Sequence, residues 1–239
     1  MEISLIGILG ILGNIFAFFL QISPLPTIIK GLKEKEIKNL TLSYLVVALF
    51  NSVFWFGFGF NENDKYIYII NGSGIIFFLF YAISKIYVDY SQIYYIIFFL
   101  LFYFSFFILI VKYLSAKTDI FIATIISCLW QCTTIPTMRQ SLYRKDASFV
   151  NIIVMTISII NFFIWILYGI FDNVFLISFV NSICFIFCFF NIYIYFWSLG
   201  KIEHDSKLIS ILKFIFRSDI LGDIDEDKYK RLKLSLGER

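Results

Sequence analysis

Apolar residues fill this chain in long blocks, at about 3–29, 40–60, 66–84, 93–111, 120–138, 149–171 and 174–199. Short polar or charged connectors separate them: Lys30–Asn39, Asn61–Lys65, Lys85–Gln92, Lys112–Asp119, Arg139–Ser148 and Asp172–Asn173. The blocks are continuous rather than striped, which predicts helices apolar on every side. About 20 such residues cross the hydrocarbon core of a bilayer. The pattern therefore predicts an all-α integral membrane protein with seven transmembrane helices, followed by a polar tail from Gly200 onward.

A second pattern overlies the first. Adding 110 to the number of several rare residues returns the same residue: Gln21/Gln131, Pro26/Pro136, Thr27/Thr137, Asn51/Asn161, Trp55/Trp165, Gly59/Gly169 and Asn71/Asn181. With three Pro and four Trp in the whole chain, paired Pro and paired Trp in one register mark an internal duplication. The offset crosses four spans, an even number, so both copies point the same way. The expected architecture is 3+1+3: two parallel three-helix-bundle repeats joined by an inversion linker helix, with a pseudo-twofold axis along the membrane normal. The expected segments are 1–88 for the first repeat, 89–119 for the linker, 120–199 for the second repeat and 200–239 for the tail.

Composition agrees: hydrophobic residues make up 60% and charged residues 15% of 239. That is more apolar surface than a soluble domain of this size can hide. The charge distribution sets an orientation. Seven spans put 17 of the 20 Lys and Arg on one side, and 8 against 3 when the tail is left out. Basic residues stay in the cytosol, which predicts a cytosolic C-terminus and an extracellular N-terminus, in a multi-pass protein of the plasma membrane. The opening residues lack a basic stretch and a small-residue cleavage site, so the first block reads as a retained helix. The four cysteines form two pairs, Cys128/Cys132 and Cys184/Cys188, with no His or acid beside them. They read as packing residues, and no metal or other cofactor is expected.

The polar residues inside the blocks carry the candidate chemistry. Asn51 and Trp55 lie one turn apart on the second helix, and Asn161 and Trp165 repeat them on the sixth. Asn71 on the third helix falls at the depth of Trp55, and Asn181 at the depth of Trp165. Two Trp and two Asn, with Asn51 and Asn161 beside them, are expected to ring one cavity. Asn14 and Asn191 have no matching partner and read as packing residues. An amide donates and accepts as a hydroxyl does, and an indole face covers the C–H side of a sugar ring. Such a site suits a neutral sugar. No carboxylate or Lys is expected deep in a span, so coupling to an ion gradient is not expected. No nucleophile–base or acid–base pair is visible, so the chain reads as a carrier and not an enzyme, with no catalytic residues. The expected partners are a small-molecule sugar and membrane lipid, with no nucleic acid; the sequence leaves a homo-oligomer open.

Pro24, Pro26 and Pro136 fall near the cytosolic ends of the first and fifth helices, where they can serve as hinges. Two glycosylation sequons, Asn39-Leu40-Thr41 and Asn71-Gly72-Ser73, are expected to stay unmodified, the first being cytosolic and the second within the membrane. Ser206–Leu221 mixes Leu208, Ile209, Ile211, Leu212, Phe214 and Ile215 with Lys207, Lys213 and Arg217, which predicts a short helix on the inner leaflet.

These residues resemble the SWEET sugar transporters, the MtN3/saliva family within the PQ-loop superfamily. The resemblance lies in Gly13-Asn14, Ser23-Pro24-Leu25-Pro26-Thr27, Leu49-Phe50-Asn51 ahead of Trp55, Asn71-Gly72-Ser73-Gly74, and Trp165-Ile166-Leu167-Tyr168-Gly169 with Asn181. It covers about 1–200. It implies facilitated, bidirectional sugar movement by alternating access, with Asn71, Asn181 and Trp165 at sugar-contacting positions and Trp55 at a further pocket position. Two Trp narrow the cavity and favour a hexose such as glucose over a disaccharide. The family carries four hinge prolines; Pro24 matches the first, while Tyr44, Thr134 and Asn151 stand at the others. Amino-acid or other small-solute exporters of the PQ-loop type share the architecture and are the alternative, as is a non-transporting receptor on the same bundle. Each would want a charged group in the cavity.

Overall fold

A computed structural model of the chain describes residues 4–37, 40, 42–89, 94, 115–147, 150–202 and 206–216. Apart from residue 94, the expected linker helix at 93–111 lies outside the described residues, as does the tail beyond 216. The described elements are helices: α1 (Leu5–Ile22), α2 (Leu25–Glu34), α3 (Leu42–Asn61), α4 (Lys65–Val88), α5 (Ala116–Cys132), α6 (Ile135–Arg144), α7 (Ile152–Phe171), α8 (Phe175–Ser198) and α9 (Lys207–Ile215). Five helical stretches among the described residues are long and apolar enough to cross a membrane: Leu5–Glu34, Tyr44–Asn61, Lys65–Val88, Ile152–Phe171 and Phe175–Ser198. The chain is an all-helical integral membrane protein.

The duplication is visible in the backbone. Shifted by 110, the bounds of α2, α3 and α4 become those of α6, α7 and α8. The left-handed residues repeat as well: Lys35 and Asn63 (φ 54° and 56°) return as Lys145 and Asn173 (φ 50° and 59°). Each ends a helix with the reversed turn that frees the chain to change direction.

Side-chain caps start the helices where the apolar runs begin. Ser4 Oγ accepts from Gly7 N at 3.1 Å, and Asp64 Oδ1 from Tyr66 N and Ile67 N at 3.0 and 3.2 Å. Asn151 Oδ1 accepts from Val154 N at 3.2 Å. Such caps satisfy amides that have no partner within the helix.

Two connectors differ from expectation. The stretches from Lys30 and from Arg139 are helical as far as Glu34 and Arg144. The reason lies in the prolines. Pro26 and Pro136 have no N–H to give the carbonyls four residues earlier, those of Ile22 and Cys132. Those residues are where α1 and α5 stop. The chain then restarts a helix with Pro at its second position, where no N–H is needed. The new helices keep a buried side, with Ile28 and Gly31 in α2 and Met138 and Leu142 in α6.

The chain forms two compact units, one of residues 1–134 and 151–192, the other of 135–150 and 193–239. In the first, α3 and α4 form a hairpin so close that a Cβ on Gly59 would stand 2.7 Å from Tyr68 N. The α4 helix runs beside α1, tied by Gln21 Nε2 to Ile70 O and by Tyr81 OH to Gln21 O, both 2.8 Å. The repeats meet along two seams. On one, α1 lies against α7, where a Cβ on Gly13 would stand 2.9 Å from the Trp165 ring. On the other, α3 lies against α5, with Ser127 Oγ to Asn51 Oδ1 at 2.5 Å and Asn61 Nδ2 to Asp119 Oδ2 at 2.8 Å. Residues 51 and 61 thus meet 127 and 119, so α3 and α5 run antiparallel. Residues 10 and 18 of α1 meet 66 and 77 of α4, so those two run parallel. Since α3 reverses into α4, α1 and α5 share one direction, and the two copies point the same way.

In the second unit, α6 packs with α9 and with the end of α8. Tyr143 OH donates to Lys213 O at 3.1 Å, and Lys145 and Lys213 ammonium groups lie 5.5 and 5.0 Å from the Trp197 ring centre.

Candidate functional site

The first unit encloses a cavity of about 260 Å³ along the seams. Four of its helices continue the duplicated pattern: α3 brings Asn51 and Trp55, α4 brings Asn71, α7 brings Asn161 and Trp165, and α8 brings Asn181. All six residues singled out in the sequence stand on this one wall. The reason is periodicity: Asn51 and Trp55, like Asn161 and Trp165, are four apart and share a helix face.

The two halves of the wall are not equivalent in detail. Asn71 Nδ2 donates to Ile67 O and Asn181 Nδ2 to Ile177 O, both at 2.8 Å. Each amide keeps one N–H and its carbonyl oxygen for a ligand. On the α3–α5 seam, Ser127 Oγ donates to Asn51 Oδ1 and accepts from Trp55 Nε1 at 3.0 Å. Its duplicate position is Ala17, which also lines the cavity but has no hydroxyl. Accordingly Asn161 Oδ1 is buried with no hydrogen-bond partner. Trp165 instead lies flat against Gly13 and edge-on to Tyr168, ring centres 5.1 Å apart.

Beyond Trp165, aromatic and polar contacts join the helices. Tyr168 OH donates to Asp64 Oδ2 at 2.7 Å, and the Tyr66 and Tyr168 rings stand 6.3 Å apart. Elsewhere on the wall stand Tyr44, Phe78 and Trp130, with ring centres 5.8 Å apart for Tyr44–Trp130 and 6.1 Å for Phe78–Trp130. Among the described residues, no Asp, Glu, Lys, Arg or His lines the cavity.

Several wall residues were not among the six. Gln21 and Gln131 were legible as a duplicated pair, but their role in the wall was not. Ser127 and Ser158 had no signal, because an isolated serine in an apolar helix is common. Asn191, read as packing, also lines the cavity; its Nδ2 donates to Phe187 O at 2.9 Å. One expectation needs correction. Asp119, placed in a connector, lies fully buried in the first turn of α5, held there by Asn61. The capping run Ser115–Thr118 starts the helix before the apolar block does.

The prolines sit at the two helix breaks. Pro24 precedes α2, and Thr134 stands in its place before α6; Pro26 and Pro136 occupy the second positions. Ser23 Oγ and Thr133 Oγ1 cap the carbonyls of Leu20 and Trp130 at 2.8 and 2.6 Å. Asn151, at a family proline position, serves as the cap of α7. The cysteines are free thiols, Cys184 and Cys188 on the cavity wall. No cluster of three metal-ligating side chains occurs among the described residues.

Comparison with known proteins gives a consistent result. Residues 7–93 match the family described as "Sugar efflux transporter for intercellular exchange". A curated relative, the bidirectional sugar transporter NEC1 of Petunia hybrida, is 27% identical over 221 residues, 84% of this chain and 78% of that protein. The bidirectional sugar transporter SWEET7b of Oryza sativa subsp. indica is 32% identical over 73 residues, 29% of this chain and 27% of that one. Among solved structures, a eukaryotic SWEET transporter superposes with a TM-score of 0.74 at 19% identity, covering 82% of this chain and 97% of that one, a likeness of fold. The matched first repeat, the relative aligned over most of the chain and the shared fold agree with the duplicated Trp–Asn wall, and the chain is similar to the sugar transporters of this family.

Proposed function

We propose that this protein is a sugar transporter, and more narrowly a facilitative, uncoupled, bidirectional carrier of a neutral hexose such as glucose. The observation that carries this reading is the chamber shared by the two repeats, walled by paired Trp and Asn and, among the described residues, without Asp, Glu, Lys, Arg or His. Trp55 and Trp165 cover the C–H faces of a pyranose ring. Asn71 and Asn181 exchange hydrogen bonds with its hydroxyls, as only a donor–acceptor group can do for a ligand that is itself both. Asn51 and Asn161 extend the polar wall, the first held by Ser127 and the second with its Oδ1 buried and unpaired. At about 260 Å³ the cavity is at or below the small end of the usual ligand range of roughly 300–1000 Å³, which suits one sugar ring. Among the described residues no Asp, Glu, Lys, Arg or His stands on the wall, which favours uncoupled transport.

The transport cycle follows from the seams. Parallel repeats, in a seven-helix 3+1+3 arrangement with the unpaired linker at 89–119, rock about the bound sugar. The breaks at Pro24, Pro26 and Pro136 let α2 and α6 move relative to α1 and α5. The bias of Lys and Arg to one set of connectors supports a cytosolic C-terminus and an outer N-terminus, and the membrane proposed is the plasma membrane.

The test is uptake of radiolabelled glucose into proteoliposomes with no ion gradient. Flux is expected for the wild-type chain and expected to be lost in Asn181→Ala and Trp165→Ala. Undiminished flux in both variants, or flux that needs an imposed gradient, contradicts the proposal.

A further inference from the structure

Among the described residues Asp119 is the only fully buried acid, at 0% exposure. It stands one position before the apolar block at 120–138, in the first turn of α5 and about two turns from Ser127 on the cavity wall. Asn61 Nδ2, at the end of α3, donates to its Oδ2 at 2.8 Å, while its Oδ1 is buried with no hydrogen-bond partner. The duplication shows that packing does not require an acid here. In the α1–α7 seam the twin positions hold Leu9, also buried, and Phe171. An ionised oxygen without a partner in so dry a place costs far more than a neutral one. The joined seam therefore favours the protonated carboxyl.

No described charge offsets this cost. The α3 helix packed along α5 carries no Asp, Glu, Lys or Arg, and its Tyr44 lies at the opposite end. On α5 itself Lys117 is exposed. In the turn from α3 to α4, Glu62 and Lys65 are exposed, and Asp64 accepts from Tyr168 with Asp172 beside it. Asn61 is the partner of Asp119, and none of these groups is.

We infer that Asp119 is a proton-binding site on the α3–α5 seam, and that the proton it holds keeps the Asn61 end of that seam shut. The inference rests on the alternating opening proposed above, and not on which solute is carried. When the repeats part at this end, water reaches Asp119 and the carboxyl gives its proton to that water. On closing it takes a proton back from the same side. Entry and exit on one side leave sugar movement uncoupled, but they set how often this end opens. The shut form binds the proton more tightly, so acid favours the shut end and alkali the open one.

The full chain in lipid nanodiscs, without sugar, tests this. Nitroxides are placed on Phe60→Cys and Lys117→Cys, two exposed positions beside the Asn61–Asp119 contact, with Cys128 and Cys132 replaced by serine. Spin–spin broadening reports a shut end. The unbroadened fraction is expected to rise at least about fivefold from about pH 5 to about pH 8. Asp119→Asn keeps a neutral group and Asp119→Leu copies the twin position, and both are expected to stay broadened throughout. A pH-independent spectrum of the labelled chain with Asp119 intact overturns the inference. So does a pH response that survives in either variant, which assigns it to Glu62, Asp64 or Asp172. Glucose flux together with a pH-independent spectrum overturns this inference alone. A pH response lost in both variants, in a chain without glucose flux, supports it and overturns the sugar reading alone.

Discussion

Replacing Ser127 by alanine removes one hydroxyl that makes two buried hydrogen bonds, to Asn51 Oδ1 at 2.5 Å and from Trp55 Nε1 at 3.0 Å. Both partners are over nine-tenths buried, and each is left without a mate. An unmated buried polar group costs about 1–3 kcal/mol. The two groups also face the cavity, where water can replace part of what is lost. The expected loss is therefore about 2–3 kcal/mol, a fall in Tm of roughly 5–10 °C for a chain of this length. Cys184 and Cys188 are buried free thiols, so with Cys128 and Cys132 replaced by serine a thiol-reactive dye reports unfolding. The duplication supplies a matched control. Ala17 holds the place of Ser127 in the other seam, and Asn161 Oδ1 there is buried and unpaired. Ala17→Ser is expected to raise stability by about 1 kcal/mol, the net worth of one hydrogen bond. If Ser127→Ala melts with the wild type and Ala17→Ser melts lower, the pseudo-symmetric account of the two seams is wrong.

Three further outcomes are expected. Gly169→Ala puts a Cβ 2.7 Å from Ser178 N, and because a backbone atom cannot step aside, the α7–α8 hairpin should lose about 1–3 kcal/mol, read as a lower Tm and a lower yield of folded protein. Burial, then the neighbouring Asp64 and Glu62 carboxylates, holds the Asp172 carboxyl above its ordinary value of 3.8. The folded state therefore holds that proton more tightly than the unfolded one, so this contribution is present below about pH 4 and is lost as pH rises through the raised value. Asp172→Asn should flatten that slope and melt higher than wild type at neutral pH. Asn71 should carry no glycan when the chain is made in eukaryotic cells, since its Nδ2 donates to Ile67 O at the cavity wall; endoglycosidase treatment should leave the gel mobility unchanged.

The second, third, sixth and seventh helices were legible because a lipid solvent demands long apolar blocks, and their starts and stops moved by only a few residues; the fourth lies outside the described residues. The shared wall was legible because the duplication filtered it: Asn51, Trp55 and Asn71 each came with a twin. What was hidden has physical reasons. The helix breaks at Ile22 and Cys132 depend on a missing N–H four residues further on, which an apolar count ignores. Ser127 was hidden because its importance lies in two partners on another helix, Asn51 and Trp55, and in no local pattern. Asp119 was hidden because a carboxylate at a block's edge reads as solvated, although Asn61 holds it fully buried. The asymmetry between the seams was equally invisible, since Ala17 and Ser127 differ by a single hydroxyl.

The central claim is that a neutral sugar sits between the duplicated Trp and Asn residues, and a density map of the full chain with bound glucose tests it most directly. The account predicts a pyranose ring flanked by Trp55 and Trp165, with its hydroxyls within hydrogen-bonding distance of Asn71 and Asn181. Density for the sugar anywhere else in the chain, with this chamber filled only by water, would contradict it.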